Sequence, residues 1–450
     1  MDDSPGIGPD CPGRRSWSPY SVALVAVLIV AAVPFCLRKP ADWDDVYVPA
    51  AERLRGGEDI FQRAFVYPPA SALLGVPFTY LPRMASLFLW YGISATALVV
   101  LVHGAWRLAG GGRFPGPTVP RREHLVLVAG CLFGLPFAFD CFGNRQTDLL
   151  VSALVVTGCL NLRAGRGVVS AVWFGLAAGL KCTPLLWAPY LALRRRFGAA
   201  AVVAAVAAGV NLVPDVLYPA ADGSRLLQWV RVFLAPMARG NHDPGMWACG
   251  INFNHSVAGV ANRWLVWERG WEHGQMLPRP RAARVTPATL KAIVYGTDIA
   301  ILVLAVIVCR RRSGISGRRN SWGWPNHPLR AGVLEYCLVI LLMLLLSPQS
   351  SKPHFCTLIL PGFCLARVAL GRRDAILGVI LATAAVGAQL SNKDLWGVAV
   401  YDAVMWYGSV FWTMILLFVA CIRARCCCGA VQGQDAVGTP RVPVAESRAA

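Results

Sequence analysis

Long apolar runs recur from one end of this chain to the other, and they decide what it can fold into. Tyr20 to Leu37, Leu87 to Val102, Phe197 to Val213, Ala331 to Leu346 and Val404 to Ile422 are almost free of charge. Each holds about 16–20 residues, long enough or nearly so to cross about 30 Å of hydrocarbon at about 1.5 Å per residue. A buried helix of a soluble protein explains one such run, but not about ten of them. Charged residues make up 15% of the chain, against about 25% in soluble domains. The expected fold class is therefore all-α, a polytopic transmembrane helical bundle. The first run is not expected to be a cleaved leader, because Cys36-Leu37-Arg38-Lys39-Pro40 lacks a small-residue cleavage pattern.

A net charge of +19 raises the question of nucleic acid. Its distribution argues against that partner, because the arginines stand in short clusters between apolar runs. The clusters are Arg107 to Arg122, Arg163/Arg166, Arg194-Arg195-Arg196, Arg310 to Arg330, Arg372-Arg373 and Arg423/Arg425. Placed on alternate loops, they predict cytoplasmic termini in the plasma membrane and roughly twelve crossings. The expected organisation is a tail over 1–19, a transmembrane unit over 20–422 and a second tail over 423–450. Tyr67 to Pro82, broken by Pro68, Pro69, Gly75 and Pro77, reads as a re-entrant or short helix. The outer face would then receive a first loop over 38–67, a long loop over about 218–286, and short loops near residues 143–148, 181–184, 347–354 and 391–394. The fifteen cysteines lie mostly in apolar runs, where Cys behaves as a small hydrophobe. No pair has zinc spacing with histidines, so no metal site is expected.

The polar residues that could carry chemistry gather on that outer set. Asp42, Asp44 and Asp45 stand within four residues of one another, where like charges raise each other's pKa. They read either as a solvated loop offset by Arg38 and Lys39, or as a general base or carboxylate pair. Arg145, Gln146 and Asp148 fall in a polar break between two apolar runs. Lys181 and Lys352, with His354 nearby, are isolated cations. Each alone reads as a snorkelling helix end. Together they are what a buried phosphate needs, several charge-assisted bonds of about 1.5–3 kcal/mol each. Asp298 lies inside an apolar run, where a carboxylate is functional or paired with a neighbour such as Lys291.

Several of these stretches, in this order, resemble glycosyltransferase family 87, GT-C-type mannosyltransferases that use polyprenyl-phosphate-mannose. The Asp-rich loop, Val46-Tyr47-Val48-Pro49-Ala50-Ala51, Gly56-Gly57, Tyr67-Pro68-Pro69 and Pro77 resemble the family's start. Arg145-Gln146-Thr147-Asp148-Leu149 is similar to its Gly-Gln-x-Asn-Leu, and Gly175 to Lys181 with Pro184 to its most recognisable stretch. Asn254-His255-Ser256 with Gly259 and Arg263, and Ser347-Pro348 before His354, continue the match. Arg145 stands where the family prefers Gly, Asp148 where it prefers Asn, and Lys352-Pro353 where a second His is common.

The resemblance implies a GT-C-like bundle with an extracytoplasmic site and a first-loop carboxylate as base. Asp44 is the expected base, Asp42 a close second, and Asp45 a third choice. Arg145, Gln146, Asp148, Lys181, Lys352, His354, Asn254 and Arg263 are the expected donor and substrate residues. The implied reaction passes a hexose, mannose first, from a polyprenyl-phosphate carrier to a glycan or glycolipid hydroxyl. No cofactor is required, and a divalent metal is optional. The competing reading is a polytopic transporter or flippase. It would place polar groups near the midplane and show a repeat between halves, whereas here they gather at outer helix ends.

Overall fold

The computed structural model describes residues 18–61, 65–112, 114–115, 119–220, 223–235, 251–266, 269–272, 275–278, 285–310 and 331–434. Most of the first expected tail, the end of the second, and parts of the long loop lie outside these residues.

The chain forms α1 (Pro19–Leu37), α2 (Val48–Arg55), α3 (Pro69–Gly75), α4 (Arg83–Leu108), α5 (Arg121–Asn144), α6 (Asp148–Arg163), α7 (Gly167–Leu180), α8 (Trp187–Leu193) and α9 (Phe197–Leu217). It continues with α10 (Arg225–Trp229), α11 (Val257–Leu265), α12 (Pro287–Arg310), α13 (Ala331–Leu345), α14 (Ile359–Arg372), α15 (Ala375–Leu390), α16 (Lys393–Trp406) and α17 (Ser409–Gln434). Between α11 and α12 a small antiparallel hairpin pairs β1 (Arg269–Glu272) with β2 (Gln275–Pro278). This hairpin departs from a wholly helical expectation, though it is confined to the long loop.

Seven described helices are long and apolar enough to cross a membrane, or eight if α15 and α16 form one bent span. That is fewer than the roughly twelve expected from apolar runs. Part of the difference lies in α6, α7 and α13, which hold 16, 14 and 15 residues and fall short of a full crossing by length. The molecule is an integral membrane protein. Tyr67 to Pro82 makes no full span: α3 passes after one short stretch into a 3₁₀ turn over Val76–Tyr80. The last helix runs past the expected boundary at 422, to Gln434.

Arginine-bearing helix ends make close contacts with one another at one end of the bundle. There Arg163 Nη1 donates to the carbonyl oxygens of Arg107 (2.7 Å) and Leu108 (3.0 Å). Glu335, 2% exposed, pairs with Arg194 and Arg425. The opposite end gathers the C-termini of α1, α5, α7 and α13 and the N-termini of α4 and α6.

Close helix packing fixes that end. α7 carries Gly175 and Gly179 one turn apart against α9, where an added Cβ would stand 2.6 Å from Val206 Cβ or 2.2 Å from Val210 Cγ2. Small residues of this kind let membrane helices approach closely. Asn211 of α9 donates to Gly179 O (3.2 Å) and accepts from Ala70 N (2.8 Å), while Ser71 donates to Leu180 O (2.6 Å). The short α3 is thereby pinned against the end of α7, and Lys181 leaves that helix at a set position.

Candidate functional site

The first loop enters the site end through aromatic packing. After α1, residues Trp43–Tyr47 form a π-helical turn, a local widening often found at functional positions. Trp43 stacks on Trp90 of α4 with centroids 3.9 Å apart, and Tyr47 stacks on Tyr67 at 4.9 Å. The Tyr47 hydroxyl lies 3.1 Å from Thr147 Oγ1. With the two aromatics turned inward, the three neighbouring aspartates are separated. Asp45 is exposed to solvent. Asp44 faces α4 and α5, where it pairs with Arg83 (3.1 Å) and with Arg145. Asp42 instead accepts a hydrogen bond from Gln146 and lines an open cavity.

That cavity has a volume of about 890 Å³. One side is formed by Arg38, Asp42, Tyr67, Gln146, Lys181 and His354. Lys181 Nζ donates to Asp148 Oδ2 (2.7 Å) and Gln146 Oε1 (3.3 Å), and stands 5.0 Å from the Tyr67 ring centroid. His354 Nδ1 accepts from Ser351 N (2.9 Å), which makes the ring neutral, and its Nε2 lies 3.3 Å from Lys181 Nζ. Nε2 faces Asp148 Oδ1 at 3.6 Å. Burial pushes the Asp42 carboxyl above the usual carboxylate range; the Lys181 ammonium and the Gln146 amide offset part of that.

The lining also includes Asp140, Lys352, Ser391, Asn392, Lys393, Asp394 and Tyr401. Lys352 Nζ pairs with Asp140 Oδ2 at 2.8 Å and lies 5.2 Å from the Tyr401 ring centroid. Sequence reasoning missed Asp140, Tyr401 and the cavity position of Lys393. A signal for Asp140 existed, because it is a carboxylate near the end of an apolar run, the same argument applied to Asp298.

Several expected site residues stand behind the cavity wall. Arg145, 1% exposed, has φ 54°, a left-handed conformation that explains the preference for Gly at this position in the family it resembles. Its guanidinium turns back to Asp44 and to the carbonyl oxygens of Phe35 (2.7 Å) and Arg38 (3.1 Å). It clamps the first loop and does not line the cavity. Asn254 braces the residues around Pro348: its Nδ2 donates to Pro348 O (3.2 Å), and its Oδ1 accepts from Ser350 N (3.2 Å). Arg263 donates to the carbonyl oxygens of Ile251 (2.5 Å), Asn254 (2.6 Å) and Trp406 (3.1 Å). Both are buried and line no part of the cavity. Asp148 is likewise behind the wall, as the counter-ion of Lys181. Asp298 is half-buried on α12 and also away from the cavity.

Fold and site define a class: a helical membrane protein with a charged cavity at one end, holding a carboxylate opposite cations. A model of glycosyltransferase family 87 matches residues 65–348, more than half of the chain's 450 residues, and the chain belongs to that family. It is 26% identical over 290 residues to a polyprenol-phosphate-mannose-dependent alpha-(1-2)-phosphatidylinositol mannoside mannosyltransferase of Mycobacterium tuberculosis, covering 55% of this chain and 64% of that one. A polyprenol-phosphate-mannose-dependent alpha-(1-2)-phosphatidylinositol pentamannoside mannosyltransferase of Mycolicibacterium smegmatis is 26% identical over 215 residues, 44% of this chain and 50% of that one. An alpha-(1->3)-arabinofuranosyltransferase of Mycobacterium tuberculosis is 28% identical over 210 residues, 42% of this chain and 45% of that one. The chain thus matches less than two thirds of each of these relatives' length. The crystal structure of ArnT from Cupriavidus metallidurans bound to undecaprenyl phosphate aligns with a TM-score of 0.36 at 17% identity, over 94% of this chain and 82% of that one.

Proposed function

We propose that this protein transfers a hexose, mannose first, from a polyprenyl-phosphate carrier to an acceptor hydroxyl at the extracytoplasmic face of the plasma membrane. The observation that carries the reading is Asp42 on the cavity wall, within one hydrogen-bonded group with Gln146 and Lys181 and beside His354. Family membership and the donor named for two relatives support it.

In this reading Asp42, rather than Asp44, is the general base. A base must reach the substrate proton, and Asp44 is already held by two guanidiniums away from the cavity. Asp42 takes the acceptor proton as the hydroxyl attacks the anomeric carbon. The carbon–oxygen bond to the lipid phosphate breaks on the opposite face, inverting the configuration. Negative charge then builds on the departing phosphate. Fixed cations placed where charge develops lower the barrier, and Arg38 and Lys181 are assigned that role, with the neutral His354 beside them. Gln146 orients Asp42. No cofactor is needed, since a phosphomonoester leaving group develops less charge than a pyrophosphate.

The arginine-rich end of the bundle is assigned to the cytoplasm by the positive-inside rule. The cavity end then faces outward, where nucleotide sugars have no supply and sugars arrive on lipid. The test is purified protein incubated with radiolabelled polyprenyl-phosphate-mannose, polyprenyl-phosphate-arabinose or a nucleotide sugar, each with a glycolipid acceptor. Transfer from the first is expected. Transfer from the arabinose carrier alone would reassign the sugar, and transfer from the nucleotide sugar would overturn the mechanism.

A further inference from the structure

The cavity lining holds a second group of polar residues beside the donor group, different from it in charge and in origin. Ser391, Asn392, Lys393, Asp394 and Tyr401 belong to the turn between α15 and α16 and to α16 itself. All lie beyond residue 348, where the family match ends. α16 does not continue α15. It leaves at 91°, and Lys393, Asp394 and, past a non-helical break at Gly397, Tyr401 line the cavity. Facing it are Asp140 from the end of α5 and Lys352 from the 3₁₀ segment before α14.

This group carries two ammonium groups, Lys352 and Lys393, against two carboxylates, Asp140 and Asp394. A phosphate site needs an excess of fixed positive charge. Balanced charges beside an aromatic ring suit another ligand. The hydroxyls of a sugar both donate and accept, so they can meet carboxylate and ammonium alike, while the Tyr401 ring supplies an apolar wall for the C–H bonds of a pyranose.

We propose that Asp140, Lys352, Lys393, Asp394 and Tyr401 form the acceptor subsite, which binds an uncharged carbohydrate rather than an anionic headgroup. This assignment rests on the transferase reading above for its name, but its test is a binding measurement. Full-length protein is placed in lipid nanodiscs and titrated with octyl α-mannopyranoside, octyl phosphate and undecaprenyl phosphate, with tryptophan fluorescence as the readout. The mannoside binds the unaltered protein. Asp140→Asn and Tyr401→Ala weaken it by about tenfold or more, as expected for loss of a charge-assisted bond or of the ring's packing. Tyr401→Phe, which keeps the ring, binds within about twofold of the unaltered protein, a difference of under 0.5 kcal/mol by the affinity scale. Undecaprenyl phosphate binding is the same in all three variants, which shows that they are folded. Mannoside binding unchanged in both Asp140→Asn and Tyr401→Ala overturns the subsite. Octyl phosphate bound in preference to the mannoside, and lost with the same substitutions, overturns the uncharged ligand. Loss of mannoside binding in the variants of a protein that transfers no sugar supports the subsite while removing the transferase reading.

Discussion

At the residue scale the account turns on which first-loop aspartate is the base. Asp42→Asn should lower kcat by about 10²–10⁴, the usual contribution of a positioned general base, and leave thermal unfolding nearly unchanged. Asp44→Asn should act differently, because it leaves Arg145, 1% exposed, without its counter-ion. Removing one partner of a buried pair costs about 3–5 kcal/mol, and the two carbonyl oxygens that Arg145 keeps place this case near the lower end. A lowered unfolding temperature by scanning fluorimetry checks it; an Asp44→Asn protein with full stability and no activity would return the base to Asp44. The pH profile gives a second handle. Burial raises the Asp42 pKa, and a base works only when ionised. Activity should therefore fall, as pH is lowered, at a higher pH than an ordinary carboxylate would give. An acid limb of kcat/KM at or below the ordinary carboxylate range would exclude Asp42. Three aspartates within four residues are equivalent in sequence. What separates them is the inward turn of Trp43 and Tyr47 and the distant Arg83 and Arg145, contacts that no local pattern contains. Arg145 itself was legible as unusual, but its role was not, since a buried guanidinium clamps a loop or binds a phosphate with the same atoms.

At the element scale the stretch from Gly175 to Lys181 shows what a sequence motif was made of. Its glycines let α7 lie against α9, and its lysine is where the helix delivers a charge to the cavity. Gly179→Leu should push the two helices apart, destabilise the protein by about 1–3 kcal/mol through overpacking, and lower activity with it. A variant with unchanged unfolding and activity would show that this crossing does not position Lys181. Helix existence was read well from apolar runs, including α1, which ends at Leu37 as expected. The number of spans was not. Apolar composition does not distinguish a full crossing from helices such as α6, α7 and α13, which are nearly as apolar but short. The right-angle turn into α16 was equally hidden, so residues 391–394 were read as a short outer loop and Tyr401 went unnoticed.

At the scale of the whole molecule, orientation and donor chemistry support one another. With the native cysteines replaced, Asn392→Cys beside the cavity should react with an impermeant thiol reagent in intact cells, and Arg195→Cys at the arginine-rich end should not. Labelling of Arg195→Cys alone would invert the protein and put the cavity on the side where nucleotide sugars are available. The polytopic architecture and the family were legible because both are written in many weak signals that agree in order along the chain. The make-up of the cavity was not, because its walls come from residues as far apart as Arg38 and Tyr401. The most direct measurement of the central claim is transfer by purified protein from radiolabelled polyprenyl-phosphate-mannose to a glycolipid acceptor, run beside Asp42→Asn. The account predicts labelled product from the lipid carrier, a loss of about 10²–10⁴ in that variant, and no product from a nucleotide sugar alone; equal rates with and without the Asp42 carboxylate, or efficient use of the nucleotide sugar, would contradict it.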